Sequence, residues 1–216
     1  MNKYNKDYFE KGEELGISGY TNYKWMPELT IPMCERFVSY LGIKKEDNLL
    51  DYGCAKGYSV DAFNRLGYNC FGVDISEYAI SKCNDSIKDK LKIYKGSKSL
   101  QHDEFKKFDY TFAKDVFEHI EKDELKILCK ILYNYTNTLF VVVPLGENGK
   151  YIVPEYEGDI THVIRENKEW WESFFIGVGF KIRKSEYIVK GIKDNWSQYE
   201  KGNGFLVLDT SLANVI

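Results

Sequence analysis

At 216 residues, 44% of them apolar, the chain can bury one sizeable core and no more. A net charge of −3 gives no general attraction to nucleic acid or to an anionic membrane, and no apolar run approaches the roughly 20 residues that span a bilayer. The start, MNKYNKDYFEKGEE, is too polar for a secretion signal; five scattered cysteines (Cys34, Cys54, Cys70, Cys83, Cys129) without a C-x-x-C pair point to reduced, mostly buried thiols in a cytoplasmic protein.

Residues 1–27 form an aromatic arm with Tyr4, Tyr8, Phe9, Tyr20, Tyr23 and Trp25; rings with polar tips suit either a lid over bound ligands or a cover for a sheet edge. Pro27 and Pro32 flank the start of a helix running to about Tyr40, with Met33, Phe37 and Leu41 on one face. Apolar runs predict strands at 49–52, 69–73, 91–94, 110–113 and 138–143, the last stopped by Pro144. Between them, helices are predicted over 57–66, ended by Gly67, and over 123–133; Ser76 reads as an N-cap ahead of Ala79, Ile80 and Cys83. Residues 145–165, rich in Gly, Pro and acids, read as a long loop, and such loops are usually functional. An aromatic helix at 167–178 precedes two closing strands, 181–189 and 204–209, joined by a polar segment containing Trp196. Alternating strands and helices predict a parallel sheet with helices on both faces, and the two closing strands an antiparallel hairpin at one edge.

The segment 48–76 carries the chemistry. Leu49-Leu50 ends in Asp51, a tight turn follows (Gly53-Cys54-Ala55-Lys56-Gly57), then a helix, a second apolar run and Asp74. Such a strand–turn–helix–strand–acid unit holds an adenosine-containing cofactor at the carboxyl ends of parallel strands. Tyr58 stands where a dinucleotide site needs its last glycine, and Asp51 repels phosphate. Both features disfavour a nicotinamide-dependent oxidoreductase and favour S-adenosylmethionine, whose ammonium suits Asp51 and whose ribose hydroxyls suit Asp74.

The runs LLDYGCAKG, GVDIS and FDYTFAKDVFEHI resemble, in that order, the motifs of class I S-adenosylmethionine-dependent methyltransferases over about residues 28–185. The resemblance implies one domain, 1–216, with a Rossmann-like, doubly wound, mostly parallel seven-stranded sheet: the arm at 1–27, a core at 28–216 and a substrate loop at 145–165. The cofactor residues it implies are Asp51, Gly53, Cys54, Ala55, Gly57, Tyr58, Asp74 and Ile75, with Ala113 and Lys114 at the end of the fourth strand. Ala55 replaces a common glycine, and Gly96-Ser97-Lys98 lacks the acid that often holds adenine, leaving the Ser97 hydroxyl or backbone carbonyls for that role.

Glu118 and His119 match the family's EH pair, which usually begins a helix beside the cofactor; with Asp115 they are candidates for acid/base work, against cofactor-side packing or helix capping. His162, in Asp159-Ile160-Thr161-His162-Val163, is the first choice for general base, because relatives often turn a histidine at this point to the acceptor; loop anchoring is the alternative. Asp115, Glu118 and His119 lack a recognised ligand spacing, so no metal is expected. Lys114-Asp115-Val116-Phe117 replaces the N/D-P-P-Y/F motif of enzymes that methylate DNA or protein amides, and the lysines between 88 and 107 interleave with acids as on a solvated face. GYTNYKW and SEYAI resemble a bacterial subgroup associated with surface polysaccharides, and abundant Lys, Asn, Tyr and Ile fit an AT-rich bacterial genome. The expected function is O-methylation of a sugar or nucleotide-linked sugar by a monomer or homodimer, without nucleic acid or membrane insertion. The alternatives are N- or O-methylation of another small metabolite, or a non-catalytic cofactor-binding subunit.

Overall fold

In the computed structural model, which describes residues 3–96 and 107–211, the apolar runs become strands and the amphipathic stretches helices. In chain order these are α1 (Lys6–Glu10), α2 (Pro27–Leu41), β1 (Asn48–Tyr52), α3 (Tyr58–Arg65), β2 (Asn69–Asp74), α4 (Glu77–Ser81), β3 (Leu91–Ile93) and β4 (Phe108–Lys114). There follow α5 (Lys122–Tyr135), β5 (Thr136–Pro144), β6 (Gly146–Glu147), β7 (Lys150–Tyr151), α6 (Lys168–Val178), β8 (Lys181–Glu186) and β9 (Asn203–Asp209).

Seven strands form one sheet in the order β3-β2-β1-β4-β5-β9-β8. The strands from β3 to β5 are parallel, and β9 runs antiparallel to both β5 and β8. β5 is buried on both faces, and the alternation of its side chains feeds two cores. Leu139, Val141 and Val143 pack with Leu125, Leu128, Trp171 and Phe175 of α5 and α6. Phe140 and Val142 pack on the other face with Phe37, Val60 and Phe63 of α2 and α3. The chain winds outward from β1 to β3, then crosses back to β4, so β1 and β4 diverge at their carboxyl ends and leave a crevice there.

The structure adds detail that the sequence patterns lack. The 145–165 loop contains the β6–β7 ribbon and a 3-10 turn at Pro154–Gly158; strands of two residues are too short to show a period. Glu118 and His119 lie in a 3-10 turn at Phe117–His119, and α5 starts only at Lys122. Pro32 lies inside α2, whose first residue is Pro27. β8 stops at Glu186, and Val189 instead bridges to Ile192. All five cysteines are free, and all but Cys83 are buried. No helix among the described residues is long and apolar enough to cross a membrane.

Candidate functional site

A cleft of about 350 Å³ opens at the crevice. The end of the cleft beside the β1–α3 turn is built by backbone. The chain turns from β1 into α3 through left-handed conformations at Gly53 (φ +81), Ala55 (φ +50) and Gly57 (φ +76). A Cβ on Gly53 would lie 2.4 Å from a Val116 methyl and one on Gly57 2.6 Å from Leu91, so only glycine fits either position. Ala55 carries about 1 kcal/mol of left-handed strain. It is held there by its N–H, which donates to Asp74 Oδ2 at 2.8 Å, while the Ser76 N–H donates to Asp74 Oδ1 at 2.7 Å. Burial raises the Asp74 pKa, and the backbone donors of Ser76, Ala55 and Ile75 oppose that. Beyond these backbone donors the carboxylate keeps acceptor capacity for a further donor, such as a ribose hydroxyl.

Side chains from three segments build the other end. His119 lines the cleft, and its Nδ1 lies 2.8 Å from the Thr161 hydroxyl, 42 residues away in the chain. That hydroxyl donates to Asp159 Oδ1 at 2.5 Å, so it accepts from His119, whose Nε2 keeps its lone pair. The Thr161 N–H, at 2.9 Å, and the Tyr8 hydroxyl of the arm, at 2.7 Å, also donate to Asp159. His162 Nδ1 lies 2.9 Å from the Tyr156 carbonyl oxygen, which only accepts, so here too the proton sits on Nδ1. The two imidazole centres are 4.5 Å apart. Burial pushes both imidazoles below their ordinary pKa, and for His119 the neighbouring His162 adds to this; both are neutral near pH 7.

Glu118 is 1% exposed, and its Oε2 has no hydrogen-bond partner. Burial, then the charge of Asp115, pushes its carboxyl upward. Burial would raise Asp115 as well, but the ammonium groups of Lys114 and Lys193, both paired with it, outweigh burial and hold it ionised. Asp115 lies in the left-handed region (φ +57), and its N–H is fixed to the Val142 carbonyl at 2.9 Å.

Of the residues predicted from sequence, Gly53, Ala55, Asp74, Ile75, Asp115 and His119 line the cleft together. Asp51, Cys54, Gly57, Tyr58, Ala113, Lys114, Glu118 and His162 are not in that lining. Asp51 is buried, its pKa pushed up to about 7 by desolvation and by the Asp74 charge, against the pull of Lys114. Cys54 packs toward Gly72, where a Cβ would lie 2.7 Å from its sulfur. Tyr58 turns its ring to Tyr23 and Trp25, with centroids 5.0 and 5.6 Å away. Ala113 is fully buried in the sheet. Ser97 lies outside the described residues, as does His102.

Sequence reasoning passed over the residues that lock the arm in place. Lys56, in the cofactor turn, donates to Glu10 Oε1 and to the Tyr23 carbonyl, both at 2.6 Å, and the Tyr78 hydroxyl reaches the same Glu10 oxygen at 2.8 Å. Ser76 donates to the Tyr4 carbonyl at 2.5 Å. These bonds set Tyr4, Tyr8, Phe9 and Tyr20 against the cleft. Thr161 and Asp159 were visible beside His162, but nothing in their spacing ties them to His119 or Tyr8.

A family model described as a methyltransferase domain matches residues 26–177. No curated protein matches the chain. Among solved structures, an S-adenosylmethionine-dependent methyltransferase from Archaeoglobus fulgidus is 16% identical with a TM-score of 0.65, covering 85% of this chain and 97% of its own. A putative methyltransferase of Haloferax volcanii, solved with the Trm112 methyltransferase activator, is 14% identical with a TM-score of 0.65, covering 86% of this chain and 92% of its own. The methyltransferase domain of a bacterial Hen1, CtHen1, is 17% identical with a TM-score of 0.59, covering 84% and 99%. At these identities the likeness is one of fold.

Proposed function

The chain belongs to the methyltransferase-domain family and takes S-adenosylmethionine as its cofactor, and from that premise we propose that it methylates a hydroxyl of a small neutral acceptor, foremost a sugar. The neutral His119 imidazole carries this reading: it lines the cleft, its Nδ1–H is committed to Thr161, and Nε2 is left as a proton acceptor. S-adenosylmethionine supplies a methyl group already activated on a sulfonium. The chain must therefore orient the acceptor, exclude water and take one proton. Asp74 accepts the ribose hydroxyls, and the absence of side chains at Gly53 makes room beside Val116. His119 Nε2 takes the hydroxyl proton as the new carbon–oxygen bond forms, an acid/base contribution of about 10²–10⁴-fold. The arm acts as the lid: Tyr4, Tyr8 and Phe9 close the cleft from solvent.

The charge of the lining favours a neutral acceptor. Asp74, Asp115, Glu121 and Glu124 face it with Lys3 the one lysine among the described lining residues. That disfavours a polyanion such as RNA, although HEN1, one of the structural neighbours, is described as a small RNA methyltransferase. A sugar of a surface polysaccharide is the acceptor class that the GYTNYKW and SEYAI resemblance adds. Of its free and nucleotide-linked forms, the acidic lining favours the free one, because the nucleotide link carries an anionic diphosphate. The test is S-adenosylhomocysteine release with neutral sugars, sugar nucleotides and short RNAs. Turnover with sugars supports the proposal, turnover with RNA alone overturns the acceptor class, and cofactor binding without turnover on any acceptor points to a non-catalytic subunit.

A further inference from the structure

Glu118, His119 and His162 each offer one ligand atom, and these atoms lie within 4.8 Å of one another. We infer that the three hold a divalent first-row cation, Zn²⁺ or a chemically similar ion, at the inner end of the cleft. Two imidazoles and one carboxylate form a ligand set that suits such ions and leaves coordination positions open.

Two independent observations support the set. Both imidazoles are already oriented as ligands: each Nδ1–H is spent on a fixed oxygen, the Tyr156 carbonyl for His162 and the Thr161 hydroxyl, itself bonded to Asp159, for His119. Outer partners of this kind fix the tautomer of metal-bound histidines and aim Nε2 at the ion. Glu118 supplies the second observation. It is almost wholly buried and Oε2 has no partner, although buried carboxylate oxygens are nearly always satisfied. Its other oxygen lies 4.0 Å from His162 Nε2. Ligand atoms about 2.1 Å from one ion sit at most about 4.2 Å apart, so the set closes around a cation with about half an ångström of movement. Asp159 Oδ2, also 4.0 Å from His162 Nε2, adds negative potential, and the Lys193 ammonium is engaged by Asp115.

His119 lines the cleft, so an open position on the ion faces the acceptor. This part rests on the methyltransferase reading and replaces its free-base step. With Nε2 bound to the ion, a hydroxyl reaching the ion is acidified by it and gives up its proton to solvent water rather than to His119; the oxygen takes the methyl from the sulfonium with release of S-adenosylhomocysteine. The binding test needs no acceptor, so the two readings fail separately. Chelator-treated full-length protein is titrated with Co²⁺. Binding of about one equivalent with visible ligand-field bands, displaced by Zn²⁺, is expected. Glu118→Gln, which keeps the side-chain shape, weakens binding by about 10-fold or more, and His162→Ala by about 100-fold, at unchanged S-adenosylmethionine affinity. The inference is overturned by wild-type protein that shows neither cobalt bands nor Zn²⁺ binding by calorimetry, or by a Glu118→Gln variant that binds the ion as tightly as wild type.

Discussion

Where Gly53, Ala55 and Asp74 meet, the cleft is held by backbone: positive-φ turn residues, backbone N–H donors on one carboxylate, and glycines that admit no side chain. Where His119, Thr161 and His162 meet, it is held by side chains from the arm, the turn after β4 and the 145–165 segment, linked as Tyr8–Asp159–Thr161–His119. The backbone end depends on a few local conformations, so losing one contact weakens binding without dismantling the turn. The side-chain end is a buried network, in which each member orients the next and an orphaned group is costly.

The strongest break between the ends is His119→Ala. It should lower turnover by about 100-fold or more while S-adenosylmethionine affinity stays unchanged; a parallel loss of affinity, measured by calorimetry, shows that the ends are not separable. Asp74→Ala should do the reverse, weakening cofactor binding by about 1.5–3 kcal/mol; unchanged affinity removes Asp74 from the ribose. A third probe is pH. Unfolded, Asp51 ionises near 3.8, whereas folded it keeps its proton to about 7. Its folded-state pKa is raised, so its contribution to stability is lost as pH rises through about 7. The loss is about 2 kcal/mol between about pH 5 and 7. Denaturant unfolding of the cofactor-free protein should show wild type losing about 2 kcal/mol more than Asp51→Asn across that window. That difference separates Asp51 from Glu118, His119 and His162, whose shifts also bear on stability there. Equal slopes place the titration elsewhere. The smallest effect is expected for Ala55→Gly. Relief of left-handed strain and the added freedom of the unfolded chain nearly cancel, leaving a net change within about 1 kcal/mol in a thermal melt. A larger loss assigns the Ala55 methyl a packing role against the cluster of Tyr8, Phe9 and Ala79.

Much of the backbone end was legible. The turn between Asp51 and Tyr58 and the acid at Asp74 fall within one contiguous stretch, and the fold around them is written in strand and helix periods. Individual side chains were not. Tyr58 sits at the cofactor turn in sequence, yet Tyr23 and Trp25 draw its ring to the other side. His162 was singled out for the acceptor, but it is His119 that lines the cleft, with His162 one ring away. The Lys56–Glu10 pair that ties the arm to the turn spans 46 residues and leaves no mark in local spacing.

What the residues determine locally is the winding of the sheet, the glycine turn after β1 and the acid at the end of β2 that ties it. Each of these follows from φ/ψ limits, side-chain period and hydrogen bonds between near neighbours. Folding alone decides that the His119 and His162 segments meet, which carboxylate is stranded without a partner, and where the arm lies. These are long-range side-chain encounters, set by how the layers pack, and no window of the chain contains both partners.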